Sequence, residues 1–348
     1  MSRLVLTAVG GNPGRIVALD NGPEPAVGAD DVLVAMEAAP INPGDLAFQQ
    51  GWFLVQPQPP QALGAEGVGH VLKVGSAVDP AMIGRRVLVL PTFRHGTWGH
   101  RTVVDARDVV PVPRDGDALQ FAMLAVNPAT AYALLHDYGD VRAGDWIGLT
   151  LANSALGRCV LALAGRSGVR TLAIVRREQA ARQVRALGAA RVLIAGVGLG
   201  DRIAEALGDV RLRLLLDGGA QGLGELARSI EDGGTVVTYA AVGGHPPVLP
   251  LADLFRGVSL HGFSIVRWMR NTPRQTRDRV YAELAGLVEN GVLRSAVEAT
   301  YPLEHYRVAL AHAARSQRTG KILFTPGQGI TPPCRPDPPW PRAAGYAR

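Results

Sequence analysis

Residues 146–157 read Trp-Ile-Gly-Leu-Thr-Leu-Ala-Asn-Ser-Ala-Leu-Gly, and they decide the fold. The run 146–151 has the length and apolar character of a strand, the small residues after it open a turn, and helical sequence continues to about Arg166. A strand without polar alternation is buried on both faces, as strands of a parallel sheet are. The same alternation continues downstream. Strands over 171–175, 191–194, 212–216 and 235–240 are separated by helices over 179–187, 201–207 and 223–230. Parallel strands joined by helices of this length pack through right-handed crossovers, so the stretch predicts an α/β domain with a doubly wound parallel sheet.

Upstream the pattern differs. Short strands over 4–8, 31–38, 67–74, 86–90 and 100–104 are punctuated by Gly and Pro and read as an all-β lobe. Residues 121–136 are helical in composition, with Pro128 marking a break or a second helix start, and form a connector. Downstream follow a strand over 258–265, a long helix over 274–289, a strand over 297–301, a helix over 306–316 and a strand over 321–324. These elements divide the chain into a β-rich domain of residues 1–123 and 297–326, a nucleotide-binding domain of 124–296, and a tail of 327–348. That tail holds Pro332, Pro333, Pro336, Pro338, Pro339 and Pro341, too many for regular structure.

Composition supports two cores: 348 residues, 47% of them apolar. The net charge of +6 is carried almost wholly by arginine, since Lys73 and Lys321 are the only lysines. Its positions are scattered, which argues against a nucleic-acid partner. Cys159 and Cys334 are too few for a disulfide framework or a four-thiolate zinc lobe, so a reducing cytoplasm is the expected location. No uncharged apolar stretch of about 18 residues occurs, and Met1 leads directly into strand-like alternation, so neither a membrane span nor secretion is expected.

A dinucleotide site lays its pyrophosphate over the turn between the first strand and its helix. Here that turn is Ala152-Asn153-Ser154-Ala155-Leu156-Gly157, with only the last of the usual three glycines. Alone it fits an ordinary strand-to-helix turn equally well; its βαβ setting favours the nucleotide. The next strand ends Val175-Arg176-Arg177. An acidic residue there would bind a ribose 2′-hydroxyl, whereas arginine suits a 2′-phosphate, so NADPH is expected as cofactor rather than NADH. Solvated basic residues at a helix start are the alternative, although cations there oppose the helix dipole.

Taken together, Asn42-Pro-Gly-Asp45, Gly64-Ala-Glu-Gly-Val68, Gly96-Thr-Trp98, Val126-Asn-Pro-Ala-Thr-Ala-Tyr132, Ala152-Asn-Ser154, Gly233-Gly-Thr-Val-Val-Thr-Tyr239, Gly262-Phe263 and Gly320-Lys-Ile-Leu323 carry a resemblance. In this order they resemble the medium-chain dehydrogenase/reductase superfamily, and within it the mitochondrial-type trans-2-enoyl-CoA reductases, with the quinone reductases close by. The resemblance implies a GroES-like β lobe, a Rossmann lobe, a cleft between them and a homodimer paired through an edge of the Rossmann sheet. It implies Asn127 near the nicotinamide, Asn153, Ser154, Ala155 and Leu156 on the pyrophosphate, and Arg176 with Arg177 on the adenosine phosphate. Tyr239, Ala240, Ala241, Val242, Phe263, Ser264, Ile265 and Lys321 would complete the cofactor pocket.

Zinc-dependent relatives place a Cys and a His-Glu pair where this chain has Asn42 and Ala65-Glu66, so no metal is expected. The enoyl reductases carry a tyrosine where this chain has Phe53, and phenylalanine has no proton to give. Asn42, Phe53, Trp52 and His95 are therefore the candidate catalytic residues, with His95 a conceivable replacement donor against the alternative of a solvated loop histidine. Trp52 and Trp98 either line an apolar cleft for a small-molecule substrate or pack the lobe. The leading expectation is reduction of an activated C=C bond in an enoyl thioester or enone. A quinone reductase and a non-catalytic NADPH-binding protein are the alternatives.

Overall fold

The computed structural model describes residues 1–219, 222–240 and 246–326. The chain divides into two compact units, Met1–Val126 together with the segment from Thr272, and Asn127–Asn271. In the first, β1 (Ser2–Leu6) pairs antiparallel with β2 (Val17–Asn21) across the short α1 (Pro13–Ile16). Then come β3 (Asp31–Pro40), α2 (Pro43–Gln49), β4 (Gln61–Ala62), β5 (Gly67–Val74), β6 (Arg86–Val89), β7 (Arg101–Asp105), β8 (Val109–Pro111) and α3 (Ala118–Ala122). The lobe is thus not all-β: α2 starts at Pro43, a residue whose missing N–H costs nothing at a first helical position.

The second unit runs α4 (Asn127–His136), β9 (Trp146–Thr150), α5 (Ala155–Arg166), β10 (Arg170–Val175), α6 (Glu178–Ala186), β11 (Arg191–Ile194), α7 (Leu199–Leu207) and β12 (Leu212–Asp217). It ends with α8 (Leu223–Ala227), β13 (Ile230–Thr238), α9 (Leu251–Phe255), β14 (Ser259–Gly262) and α10 (Ile265–Asn271). Its sheet has the order β11-β10-β9-β12-β13-β14 and is parallel throughout. From β9 the chain steps outward to β11, then crosses back to β12 on the other side, which creates the topological switch point of a doubly wound sheet. Ile147, Leu149, Leu172, Leu215 and Val236 are completely buried in this sheet. Truncating any of the leucines or the isoleucine to Ala costs about 2–5 kcal/mol. The strand expected over 258–265 stops at Gly262, and Ile265 opens a helix. Ser264 is the reason: its hydroxyl accepts from Arg267 N and its carbonyl from Trp268 N, a start signal that outweighs the β-prone apolar residues beside it.

The chain then returns to the first unit with α11 (Arg274–Glu289), β15 (Val297–Tyr301), α12 (Tyr306–Ala314) and β16 (Lys321–Phe324). The division by sequence places α11 in the nucleotide-binding domain; the structure gives it to the first unit. Its buried Tyr281 donates to Ala125 O at 2.9 Å, and Arg274 donates to Ala106 O at 3.1 Å. The large sheet here has the order β15-β16-β3-β5-β6-β8, with β7 also on β3. Trp98 is fully buried, packed edge-on against Phe324 and donating Nε1 to Pro40 O, so it is a core residue rather than part of a substrate surface. The Pro-rich tail lies outside the described residues.

Candidate active site

At the carboxyl ends of β9, β12 and β13 the second unit builds a polar knot. Thr150 Oγ1 donates to Asp217 Oδ1 at 3.0 Å and accepts from Gly218 N at 2.7 Å. The Tyr239 hydroxyl donates to Thr150 O at 2.9 Å, and Asp217 Oδ2 accepts from Gly219 N. Burial pushes the Tyr239 phenol above its ordinary range, and the nearby Asp217 charge adds to it. Its proton is therefore committed to the strand ends.

Leu151 follows β9 with φ +51°, turning the chain sharply into the turn before α5. Ser154 caps that helix, its Oγ accepting from Gly157 N at 3.0 Å. A Cβ on Gly157 would stand 2.5 Å from the carbonyl oxygen of Ala152. The one surviving glycine of the fingerprint is thus the one that close strand-to-helix packing requires. The Asn153 carbonyl accepts from Arg158 Nε, Ala155 is half-buried and Leu156 is buried. Phe263 N donates to Thr238 O at 2.9 Å, which brings Phe263, Ser264 and Ile265 to the same strand ends as Tyr239 and Ala240. Ala241 and Val242 lie outside the described residues.

In the same unit two buried polar atoms, Asn127 Nδ2 and Thr238 Oγ1, have no partner among the described residues. An unpaired buried donor costs about 1–3 kcal/mol, and a polar ligand that bonded either atom would relieve that cost. Past β10, Arg176 and Arg177 are exposed, and among the described residues neither guanidinium has a hydrogen-bond or ion-pair partner. This residue set fits a phosphorylated dinucleotide: backbone turn, tight glycine, orphaned donor and two uncommitted cations.

The first unit assembles a buried charged cluster instead. The Asn42 amide donates to Glu66 Oε1 at 2.8 Å while its carbonyl accepts from Lys321 Nζ. Glu66 Oε2 accepts from Val126 N, and Asp45 accepts from Asn42 N and Ala65 N. All four side chains are at most 7% exposed. Burial raises Asp45 and Glu66 to about 7, and the Lys321 charge opposes the rise in both. Lys321, which the resemblance places in the cofactor pocket, donates to Asn42 in the first unit. Its turn is clamped from behind, because Glu298 accepts from Thr319 N, Gly320 N and His312 Nε2, and these contacts hold the Glu298 carboxyl down at about 2 against burial.

Nearby, Phe53 packs against Phe93 with ring centroids 4.5 Å apart and planes tilted by 44°. A Cβ on Gly44 would lie 3.6 Å from the Phe53 ring, which sets that ring against the first turn of α2, next to Asn42. His95 bonds the buried Asp108, and Trp52 is 47% exposed. Asp108 was invisible to sequence reading because it meets His95 from a short 3-10 turn 13 residues further on. Asp45, three residues after Asn42, did carry a signal, since an acid at that spacing accepts from the N-cap backbone. Among the described residues no group of three or more His, Cys, Asp or Glu could hold a metal ion.

A doubly wound nucleotide unit and a β-rich unit with a buried polar cluster, in one chain, define the class of pyridine-nucleotide oxidoreductases. The chain belongs to the medium-chain dehydrogenase/reductase family. The family models for the alcohol dehydrogenase GroES-like domain and for zinc-binding dehydrogenases match residues 28–114 and 187–323. It is 32% identical over 324 residues to the mitochondrial enoyl-[acyl-carrier-protein] reductase of Bos taurus, covering 90% of this chain and 86% of that one. The protein of the same name in Caenorhabditis elegans is 35% identical over 289 residues, covering 81% and 83%. Among solved structures, a putative NADPH:quinone reductase from Bacillus thuringiensis superposes with a TM-score of 0.85 at 27% identity, over 93% of this chain and 98% of that one. A mutant form of enoyl thioester reductase from Candida tropicalis superposes with a TM-score of 0.80 at 22% identity, over 93% and 100%, which is a likeness of fold.

Proposed function

We propose that this oxidoreductase uses NADPH to reduce a C=C bond conjugated to a carbonyl, with 2-enoyl thioesters as the substrate class. The observation that carries the cofactor choice is the pair of uncommitted guanidinium groups, Arg176 and Arg177, directly past β10, where a ribose 2′-phosphate would find bidentate donors. The substrate class rests on relatives along 90% of the chain that are named enoyl-[acyl-carrier-protein] reductases. When bound, the cofactor supplies a hydride from its nicotinamide ring. The protein's own residues then have three tasks. The 153–156 turn and the α5 N-terminus take the pyrophosphate, Asn127 offers its orphaned amide to the nicotinamide side, and Tyr239, Ala240 and Phe263–Ile265 line the strand ends. Asn42 has both ends of its amide bonded, so it offers no ligand to a metal, and the hydride step in this reading proceeds without one.

Quinone reduction is the second reading. Phe53 favours it, since a quinone takes up its protons without a dedicated acid at that position, and a relative in fold at 27% identity carries that name. The partner in either case is a small molecule, and a second copy is expected. β14 is the outer strand of the nucleotide sheet, and Leu251, Leu254 and Phe255 beside it are 63%, 48% and 82% exposed, an apolar group suited to a homodimer paired along that edge. Among the described residues no helix is long and apolar enough to cross a membrane. Cys159 is a buried free thiol, compatible with a reducing compartment such as the cytoplasm.

NADPH consumption across enoyl-CoAs, enones and quinones tests the substrate class; no turnover of any enoyl thioester or enone would defeat it. Replacing Arg176 and Arg177 with Ala should weaken NADPH by about 1.5–3 kcal/mol per lost contact and leave NADH nearly unchanged. Equal losses for both nucleotides would overturn the cofactor assignment.

A further inference from the structure

Phe53 leaves the proposed reaction short of one component. Hydride addition to the β-carbon of an enoyl thioester pushes the C=C electron pair toward the carbonyl, and the α-carbon must then receive a proton. The Phe53 ring has none to give. It packs 4.5 Å from Phe93, which in turn lies 5.0 Å from Phe48 of α2. Phe93 sits in the left-handed region at φ +59°, and its carbonyl accepts from Gln61 Nε2 at 2.8 Å. A non-glycine residue held there is a local strain that the surrounding contacts must maintain. The segment that carries Phe93 is therefore fixed against Phe53, and His95 is two residues further along, a span of at most about 7 Å.

His95 is not a loop histidine in solvent. Its ring is 16% exposed, and Nε2 lies 2.9 Å from Asp108 Oδ2. Asp108 is 7% exposed and is anchored through its backbone, its carbonyl accepting from Leu90 N at 2.9 Å. Burial would raise the Asp108 carboxyl, but the His95 hydrogen bond and the Arg94 and His95 charges overcome this and keep it below the ordinary range. Asp108 thus remains an anion that fixes the imidazole by one nitrogen. The other, Nδ1, has no hydrogen-bond partner among the described residues. A buried carboxylate holding one ring nitrogen while the second is left open is the arrangement of a positioned acid–base histidine.

We infer that His95, positioned by Asp108, is the proton donor that stands in for the missing phenol beside Phe53. This rests on the enoyl thioester reading. The bound NADPH gives its hydride to the β-carbon and becomes NADP⁺. The Nδ1–H bond of the His95 imidazolium breaks as the new C–H bond forms at the α-carbon, leaving a neutral imidazole that Asp108 still holds. Solvent returns the proton, so one NADPH and one H⁺ are consumed per saturated thioester. His95 is the catalytic residue and Asp108 a positioning residue. The exposed Arg94 contributes only to keeping Asp108 ionised.

The experiment measures kcat for an enoyl-CoA and for a quinone side by side in the full chain. General acid catalysis contributes about 10²–10⁴-fold, so His95→Gln should lower the enoyl-CoA rate at least 100-fold relative to the quinone rate. Asp108→Asn should lower the same ratio with KM for NADPH unchanged. Phe53→Tyr in the His95→Gln background should recover much of the enoyl-CoA rate, because it returns a phenol to the neighbouring position. If His95→Gln keeps the enoyl-CoA rate, or if both substrates lose rate equally and Phe53→Tyr restores nothing, the donor assignment is wrong while the reductase reading stands. If the unaltered protein reduces quinones but no enoyl thioester, the reductase reading itself falls and takes the donor with it.

Discussion

Lys321→Met is the substitution that the buried cluster makes most informative. Lys321 is 7% exposed, donates to Asn42, and its charge opposes the upward shift of both Asp45 and Glu66. Methionine keeps most of the apolar stem and removes the charge. The two carboxyls ordinarily titrate near 3.8 and 4.5, and in the fold at about 7. A folded value above the unfolded one means that the native state holds protons that the unfolded chain releases. Their stabilising contribution is complete below about pH 4 and declines as pH rises through 7. Without Lys321 both folded values move higher still, and the decline extends past pH 7. At pH 5.5 both carboxyls are mostly neutral with or without the lysine, so the substitution should be close to neutral or slightly stabilising, as removal of a buried charge often is. At pH 8 the native chain has mostly ionised the pair, and a variant whose values rise one unit further has ionised only about half of it. That rise then costs about 1 kcal/mol per carboxyl, or about 2 kcal/mol for both. Urea unfolding at pH 5.5 and 8.0 measures the difference. A loss of the same size at both pH values would show that Lys321 acts through packing alone, and would refute this account of the cluster.

Two other substitutions test separate parts of the structure. Gly157→Ala puts a methyl group 2.5 Å from a backbone oxygen that has little freedom to retreat, so it should cost about 1–3 kcal/mol in denaturant unfolding and weaken NADPH binding together. Unchanged stability and affinity would mean that the turn before α5 is looser than described. Phe255→Asp, at an 82% exposed site, should leave monomer stability nearly unchanged but shift the mass in sedimentation toward one chain; an unaltered dimer would place the interface elsewhere.

The sheet was legible because strands buried on both faces write unbroken apolar runs, and each was followed by a helix of crossover length. β13 begins at Ile230, before the stretch that reads as a strand, because Glu231, Asp232 and the Gly233-Gly234 pair interrupt its apolar pattern. α2 escaped notice since Pro43 and Gly44 read as breakers, although at the first turn of a helix a proline is tolerated and Asp45 accepts from the Asn42 backbone. The nucleotide residues are local in sequence and could be named from it. The polar cluster could not, because its members come from distant parts of the chain, and the His95–Asp108 contact could not, because it joins a loop to a short 3-10 turn with no local pattern between them. Only the tertiary pairing brings Lys321 to Asn42, 279 residues away.

That pairing also explains how the β-rich unit tolerates Glu66. A carboxylate with no exposure demands a compensating charge or a proton, because desolvating an isolated anion costs several kcal/mol. In the zinc-dependent proteins that this chain resembles, a Cys and a His flank the corresponding acid and bring in a cation from solution. Here Asn42 and Ala65 remove the thiolate and the imidazole. Lys321 supplies a covalently tethered cation through β16, and Asn42 bridges the two, bonded to Glu66 by its amide and to Lys321 by its carbonyl. A metal entering this cluster would have to evict the ammonium and break both Asn42 bonds. The arrangement therefore satisfies the buried acid internally.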